Sequence, residues 1–241
     1  MLKVHEIFKS IQGEGIDIGM PMVFVRFAGC NLACEWCDTT YASRSSSQAK
    51  RMAYMQVIQE IEKFGEMFGV TLTGGEPLIQ DKEQLDWLIY ELKGRGYFIN
   101  IETNGVFLPD LQHGKLVDRF SISPKLASSG NKSSINYTTL SKYLEEYSHK
   151  IFFKFVISNK IDFFEMGSIL NKLENFREKN IPVVVQPNID DKSVKSIKKQ
   201  NKKFLDLLKI MDEIYPHLTF LNRIRIIPQF HKYLWADKKG V

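Results

Sequence analysis

Three cysteines carry the clearest chemical signal in this 241-residue chain. Cys30, Cys34 and Cys37 are its only cysteines, and they have the spacing C-x3-C-x2-C directly after the apolar run Met22–Ala28. Three thiolates on one short loop can bind three corners of a cubic [4Fe–4S] cluster, and the absence of a fourth cysteine leaves one iron without a protein ligand. An iron that is open in this way can bind and activate a small molecule. The loop therefore predicts a reactive iron–sulfur cluster.

A structural zinc site and simple packing of the thiols are the other interpretations of this loop. Structural zinc takes four protein ligands, and none of the five histidines of the chain lies near the loop in sequence. Cysteines also pack as small apolar side chains. The spacing and the flanking residues favour the cluster.

Seven apolar, β-rich runs alternate with longer amphipathic stretches. The runs are Met22–Ala28, Val70–Thr73, Tyr97–Glu102, Asp118–Ile122, Lys150–Ile157, Ile181–Gln186 and Arg223–Ile227. The amphipathic stretches are Met52–Phe68, Lys82–Gly94, Phe163–Asn180 and Lys203–Ile214. This alternation predicts an α/β fold in which helices cover a mostly parallel sheet. Within the second stretch, the spacing predicts one buried helix face formed by Leu85, Leu88, Ile89 and Leu92.

Polar residues follow three of the apolar runs at the points where the predicted strands end. They are Thr73–Glu76, Glu102–Gly105 and Ser123–Lys125. Ligands of α/β sheets and barrels gather at the carboxyl ends of the strands, so these segments predict one binding site. Two polar segments, Ser43–Lys50 and Leu126–Asn136, are predicted to be mobile loops rather than domain boundaries.

The length and composition of the chain predict one domain that spans residues 1–241. The chain is 44% hydrophobic and contains no obvious linker, so one core is expected. Its N-terminus lacks the apolar segment of a secretory signal, and no run approaches the roughly 18 apolar residues of a membrane span. The odd number of cysteines suits a reducing compartment. A cytoplasmic protein without membrane contact is expected.

Two sets of motifs give the chain a family resemblance. The cysteine spacing, Phe27-Ala28-Gly29 and Thr73-Gly74-Gly75-Glu76-Pro77 resemble the radical S-adenosylmethionine (SAM) superfamily. Within it, Ile11-Gln12-Gly13-Glu14-Gly15, Arg26 and Pro228-Gln229-Phe230-His231 resemble the 7-carboxy-7-deazaguanine synthases, over nearly the whole chain. The resemblance implies a partial (β/α) barrel of the radical SAM type, open at one side.

The resemblance also implies an activity. In this family of lyases, the open iron chelates SAM, and the 5′-deoxyadenosyl radical made from SAM removes a hydrogen from 6-carboxy-5,6,7,8-tetrahydropterin. Ring contraction with loss of ammonia then gives 7-carboxy-7-deazaguanine, a precursor of queuosine-type nucleosides. A single general acid or base is not implied, because the cofactor carries the difficult step.

Three groups of site residues follow from the resemblance. Those expected to bind SAM are Trp36, Cys37, Asp38, Gly74, Gly75, Glu76, Glu102, Asn104, Ser123, Pro124 and Lys125. Those expected to bind the pterin are Gln12, Gly13, Glu14, Arg26, Thr73, Gln186 and His231. Thr39 is expected to help hold Mg²⁺, which prefers hard oxygen ligands. Arg26 lies inside an apolar run, which predicts an internal anionic partner. The contribution of the tail Asp237–Val241 near His231 stays open.

The implied partners are a reductant and a second copy of the chain. Reduction of the cluster needs an external electron donor, a flavodoxin or a ferredoxin, and the family implies a homodimer. The net charge of +5 is concentrated in Lys192–Lys203. This basic run predicts a solvated helix face and not a nucleic-acid site, because it lacks the aromatics that stack on bases. Docking of an acidic electron carrier is a second interpretation.

Two other functions remain as alternatives. One is a radical SAM activase of a glycyl-radical enzyme, which shares the cysteine spacing; the segment Gln12–Gly15 argues for the synthase instead. The other is an iron–sulfur redox sensor without catalysis. Gly74-Gly75-Glu76-Pro77 argues against it, because a sensor needs no SAM pocket.

Overall fold

In the part of the chain that the structure describes, the central element is one mixed β-sheet of nine strands. The computed structural model describes residues 1–44, 48–131, 133–189, 196–214, 224–235 and 240. The strands are β1 (Leu2–Ile11), β2 (Pro21–Phe27), β3 (Lys50–Met52), β4 (Gly69–Gly74), β5 (Phe98–Thr103), β6 (Arg119–Ile122), β7 (Ile151–Ile157), β8 (Val183–Pro187) and β9 (Ile224–Ile226). All seven predicted strands are therefore found.

The sheet is open and mostly parallel, as in a partial barrel. Its strand order is β3-β1-β2-β4-β5-β6-β7-β8-β9. The pairings from β2 through β9 are parallel, whereas β1 pairs antiparallel with both β2 and β3. Within the part of the chain described, no pairing joins β3 to β9. The predicted partial barrel is confirmed.

Helices cover this sheet, as the alternating pattern predicts. They are α1 (Thr40–Ser43), α2 (Tyr54–Glu62), α3 (Lys82–Gly94), α4 (Tyr137–Tyr147), α5 (Lys160–Lys172), α6 (Ile197–Ile214) and α7 (Phe230–Trp235). Side-chain caps begin three of them, since Asp81, Asn136 and Asn159 each accept a hydrogen bond from a backbone N–H of the first turn.

The core lies between the helices and the sheet. The predicted face of α3 is fully buried, with Leu88, Ile89 and Leu92 at zero exposure and Leu85 at 1%. Strands β4 and β8 are buried along almost their whole length, which is typical of parallel strands covered on both faces. Burial of a large aliphatic side chain contributes roughly 1.5–3 kcal/mol, so this core dominates the stability of the fold.

Some elements were not predicted. Strand β1 carries charged residues along an otherwise apolar pattern, and it is stabilised by pairing with β2 and β3, which its own sequence does not show. Helix α4 was missed because its segment has few strongly apolar residues, and α6 begins six residues earlier than expected, at Ile197 instead of Lys203. Residues 192–195 of the basic run and Arg223 lie outside the described residues.

The strand directions bring the sequence motifs to one edge. Because β2, β4, β5 and β6 are parallel neighbours, the loops that follow them leave the sheet at the same side. Phe27 pairs with Gly74 at the ends of β2 and β4. The cysteine loop (Cys30–Cys37) and the glycine segment (Gly74–Pro77) therefore start side by side. None of the described helices combines the length and the apolar character of a membrane span.

Candidate active site

A cavity of about 370 Å³ opens at the carboxyl edge of the sheet. Every residue expected to bind cluster, SAM, pterin or Mg²⁺ lines it except Glu76 and Pro124. The lining also includes residues to which the sequence analysis gave no role, chiefly Lys154, Gln229, Tyr41, Ser121 and Asn188. The structure thus brings together groups from both ends of the chain.

The cysteine loop presents three free thiols to this cavity. The backbone N–H of Leu32 donates to Cys30 Sγ over 3.4 Å, and Asn131 Nδ2 donates to Cys34 Sγ over 3.2 Å. Cys37 Sγ lies 3.6 Å from Thr39 Oγ1 and 3.4 Å from Ser43 Oγ. Three sulfurs, each beside hydrogen-bonding groups and with no fourth cysteine in the chain, match a [4Fe–4S] cluster with one open iron. This donor set does not close a structural zinc site.

The glycine segment after β4 packs directly against the cysteine loop. Glu76 N donates to Gly29 O over 2.9 Å, and Gly75 N donates to Phe27 O over 3.0 Å. A Cβ on Gly75 would lie 1.7 Å from Gly29 O, so any side chain there would force the two loops apart. Gly74 has φ +116°, a conformation that favours glycine. The two glycines therefore shape the wall of the cavity beside the thiols.

Glu76 supports the site from outside the cavity. Its buried carboxylate accepts hydrogen bonds from Leu78 N (3.1 Å), Thr103 Oγ1 (2.8 Å) and Asn104 N (2.8 Å). Burial raises the pKa of Glu76, while these hydrogen bonds oppose the rise. Its geometry indicates a different role from direct contact with SAM: it holds Asn104 at the end of β5. Pro124 likewise lies outside the lining.

Lys125 and Trp36 add a cation and an aromatic ring to the lining of the cavity. Lys125 Nζ donates to Ser123 Oγ over 2.8 Å and lies 5.8 Å from the centroid of the Trp36 ring. The indole N–H of Trp36 donates to Ser128 O over 3.1 Å. Burial lowers the pKa of Lys125, and the nearby Lys154 ammonium lowers it further. Lys125 is thus placed to meet an anionic group in the cavity.

Glu14 and Lys154 form an ion pair in the lining of the cavity. Lys154 Nζ donates to Glu14 Oε2, and Gln229 Nε2 donates to Glu14 Oε1 over 2.6 Å. Burial alone would raise the pKa of Glu14, but the Lys154 ammonium, His231 and the two hydrogen bonds outweigh it and hold the pKa well below its usual range. Lys154 was missed, although a lysine inside the apolar run Lys150–Ile157 gives the same signal that identified Arg26.

Glu102 connects the two groups of predicted ligands. Its Oε1 accepts from Gln12 Nε2 over 3.1 Å, and its Oε2 accepts from Thr73 Oγ1 over 2.6 Å. Glu102 was expected beside SAM, whereas Gln12 and Thr73 were expected beside the pterin. The structure therefore places Glu102 at the boundary between the two expected binding regions.

Arg26 has the internal anionic partner that its position predicts. Its Nε donates to Glu6 Oε1 over 2.6 Å, and Tyr41 OH donates to the same oxygen over 2.9 Å. Burial opposes the charge of Arg26, but Tyr41 and Glu6 raise the pKa of the guanidinium. The partner is a side chain of β1, which could not be identified before β1 was known to pair with β2.

Two further residues expected to bind the pterin, Gln186 and His231, lie on β8 and α7. Gln186 is 1% exposed, and among the described residues its Oε1 accepts no hydrogen bond. His231 packs on Gly13, where a Cβ would lie 2.4 Å from His231 Nδ1. Phe230 N donates to Gly13 O over 2.8 Å, which ties α7 to the segment after β1. Residues 237–239 and Val241 of the tail lie outside the described residues, and Gly240 lines the cavity.

Three possible metal ligands of the cavity lie close to one another. Glu14, Asp38 and His231 each place one ligand atom within 4.8 Å of the others. Thr39 also lines the cavity, two residues after Cys37. Carboxylate and hydroxyl oxygens are the ligands that Mg²⁺ prefers, although the Lys154 ammonium already engages Glu14.

Known proteins resemble this chain along most of its length. The sequence model of the Radical SAM superfamily matches residues 24–199. The 7-carboxy-7-deazaguanine synthase of Pyrobaculum aerophilum is 37% identical over 161 residues, which are 67% of this chain and 69% of that protein. The 7-carboxy-7-deazaguanine synthase of Clostridium acetobutylicum is 33% identical over 244 residues, which cover 99% of both chains.

A solved structure shares the fold. The crystal structure of QueE from Escherichia coli superposes with a TM-score of 0.67 at 21% identity and covers 94% of this chain and 93% of its own. At that identity the likeness concerns the fold alone.

Proposed function

The chain belongs to the radical SAM superfamily and, within it, to the 7-carboxy-7-deazaguanine synthases, and on this premise we propose its reaction. It converts 6-carboxy-5,6,7,8-tetrahydropterin into 7-carboxy-7-deazaguanine and ammonia, a lyase step in queuosine and 7-deazapurine biosynthesis. The observation that carries the proposal is the cavity, in which three free thiols face buried charged and amide side chains.

The cluster and SAM have a matching set of groups in this chain. Cys30, Cys34 and Cys37 would hold the cluster, and the backbone of Gly74 and Gly75 would face the SAM amino group. The other residues proposed for SAM are Trp36, Asp38, Glu102, Asn104, Ser123 and Lys125, all of which line the cavity. When bound, the reduced cluster supplies the reductive cleavage of SAM and thereby a radical able to remove hydrogen from carbon.

The proposed role of the chain itself is to bind and orient the pterin. Glu14 is ionised and oriented by Lys154 and Gln229, so its carboxylate can accept hydrogen bonds from the N–H edge of a pterin. Gln186 Oε1 offers a buried acceptor. Arg26, held at Nε by Glu6, can direct its terminal nitrogens to the pterin carboxylate, since guanidinium binds carboxylate with both charge and geometry.

Magnesium is proposed as a second cofactor. Thr39 would supply a hydroxyl ligand, with the substrate carboxylate and water completing the shell, because Mg²⁺ usually takes few protein ligands. The Asp38 carboxylate beside Thr39 supports an oxygen-rich site. The bound metal would neutralise charge on the substrate carboxylate.

The proposal extends to the partners. Cluster reduction needs an external electron, and we assign it to a flavodoxin or a ferredoxin; a homodimer and a cytoplasmic location are also proposed. Light scattering coupled to size exclusion would test the dimer. Docking of the reductant at the basic run is tested by neutralising its lysines on α6, which are Lys198, Lys199, Lys202 and Lys203. If flavodoxin reduces this variant and the unmodified protein at the same rate at low salt, docking at this part of the basic run is excluded.

An anaerobic assay tests the reaction. The cluster is reconstituted, and dithionite, SAM, Mg²⁺ and 6-carboxy-5,6,7,8-tetrahydropterin are added; mass spectrometry then measures 7-carboxy-7-deazaguanine. Formation of this product is expected. 5′-Deoxyadenosine without the product would favour the activase or another substrate, and no SAM cleavage by a verified cluster would favour the redox sensor.

A further inference from the structure

A turn after β6 covers the cysteine loop. We name this segment, Ala127–Asn131, the cluster-facing turn; its first three residues form a 3₁₀ helix, and Gly130 follows with φ +83°. Three contacts dock it on the cysteine loop. Glu35 N donates to Ser129 O over 3.0 Å, Trp36 Nε1 donates to Ser128 O over 3.1 Å, and Ala33 N donates to Asn131 Oδ1 over 3.2 Å.

Asn131 reaches the sulfur of Cys34 across 97 residues of sequence. Its Nδ2 lies 3.2 Å from Cys34 Sγ and also 3.1 Å from Ser129 Oγ. The orientation of an asparagine amide must be inferred from its partners. Here the backbone N–H of Ala33 can only donate, so it faces Oδ1 and leaves the NH₂ group toward the sulfur. Asn131 is therefore a donor to a cluster ligand.

We propose that Asn131 is a positioning residue that raises the reduction potential of the cluster through its hydrogen bond to Cys34. Reduction adds one electron from the external donor and breaks no bond of the chain. The reduced cluster and its thiolates carry one more negative charge than the oxidised form, so an N–H donor stabilises the reduced form more. Hydrogen bonds to sulfur are among the features that set cluster potentials.

Asn131 is distinct from the other groups near the thiols. Leu32 N belongs to the cysteine loop itself, and the hydroxyls of Thr39 and Ser43 can either donate to or accept from Cys37. Asn104 Nδ2, which follows β5, also lies 4.0 Å from Cys30 Sγ, but it donates over a shorter 2.8 Å to Asn31 Oδ1. Asn131 makes the shorter amide contact with a thiol, and its amide geometry defines it as the donor. Asn131 Oδ1 also accepts a hydrogen bond from Ala33 N, which holds the cluster-facing turn against the cysteine loop. The turn therefore fixes the position of the donor.

Redox titration of the SAM-free reconstituted protein, followed by electron paramagnetic resonance, tests this proposal. In Asn131→Ala the ratio of reduced to oxidised cluster at a fixed potential should fall threefold to tenfold, a shift of about 30 to 60 mV to more negative potential for a one-electron couple. Asn131→Asp keeps the acceptor for Ala33 N but replaces the donor by a charge, and its potential should fall at least as far.

Asn136→Ala is the matched control, because this residue belongs to the same polar segment but its side chain contacts Val106 O and Thr139 N instead of a thiol. Its potential should equal that of the unmodified protein. Unchanged potentials in Asn131→Ala and Asn131→Asp, at iron and sulfide contents equal to those of the unmodified protein, would overturn the proposal. A lower iron content with an unchanged potential would also overturn it, since the turn would then only retain the cluster.

This inference rests on the cluster of the proposed function and not on the pterin. A protein that carries a cluster but makes no 7-carboxy-7-deazaguanine would refute the proposed reaction and still permit the titration. The two proposals can therefore fail separately, because product formation tests the reaction and the redox titration tests the role of Asn131.

Discussion

Lys154 and Glu14 lie 140 residues apart in sequence and form a buried ion pair inside the cavity. Burial alone would lower the pKa of Lys154, but Glu14 and Glu102 reverse this effect and raise it. Each charge thus compensates the desolvation of the other. Lys154 pairs with Glu14, which is proposed for the pterin, and Glu102 at the boundary with the SAM region also stabilises its charge. The pair fixes both the ionisation and the direction of Glu14.

Replacement of Lys154 by Met should weaken pterin binding. Without the ammonium, burial is expected to dominate and to raise the pKa of Glu14 above its usual range. A carboxyl group with a raised pKa gains a proton as the pH falls, so the KM for the pterin should increase by about tenfold and should increase further from about pH 8 to pH 6. Steady-state assays across this pH range measure the effect.

Lys160→Met is the matched control for this variant. Lys160 begins α5, pairs with Glu213 and is about half exposed, so loss of its charge should leave the KM unchanged. A KM for Lys154→Met that matches that of Lys160→Met at all pH values would show that the ion pair does not serve substrate binding.

Much of the fold is predictable because each parallel strand is a short apolar run. Periodicity identifies the strands that are buried on both faces, such as β4 and β8, and the buried face of α3. It fails for β1, which holds charged residues and depends on pairing with β2 and β3. The local sequence does not show which strands a segment will pair with, so a strand of this kind is harder to predict.

The site shows a similar division between local and distant signals. The cysteine spacing and the glycines after β4 are local and were identified. The contact between Asn131 and Cys34 and the contact between Lys154 and Glu14 join segments that only the folded sheet brings together. Glu76 was predicted to bind SAM, and only the structure shows that its carboxylate accepts a hydrogen bond from Asn104 N.

Thr39→Val should change the response of turnover to Mg²⁺. The hydroxyl is the one side-chain atom by which Thr39 could bind a hard cation, and valine has nearly the same shape without it. The Mg²⁺ concentration for half-maximal activity should rise about tenfold, as measured by titration of metal-depleted enzyme. Ser43→Ala is the control, because the Ser43 hydroxyl also lies near Cys37 Sγ but has no assigned metal role. An identical Mg²⁺ response in both variants would remove the assignment of Thr39.

Arg26→Ala should separate substrate binding from SAM cleavage. Loss of a charge-assisted contact costs about 1.5–3 kcal/mol, so the KM for the pterin should rise roughly tenfold to a hundredfold. Formation of 5′-deoxyadenosine without the pterin should change far less. Arg119→Ala removes another partly buried guanidinium, paired with Asp17, outside the cavity lining. If both variants shift KM and uncoupled cleavage alike, Arg26 acts on stability and not on recognition.

Gly75→Ala should expel the cluster, because the new methyl group has no room beside the cysteine loop. Its Cβ would lie 1.7 Å from Gly29 O and 3.1 Å from Cys30 N, and backbone cannot move aside as a flexible side chain can. Overpacking of this kind costs about 1–3 kcal/mol or more. Gly94→Ala adds the same methyl group at the end of α3, where nothing lies within 4 Å, and should not lower stability. Iron content and thermal unfolding compare the two variants. Full iron content in Gly75→Ala would mean that the two loops separate without loss of the cluster site.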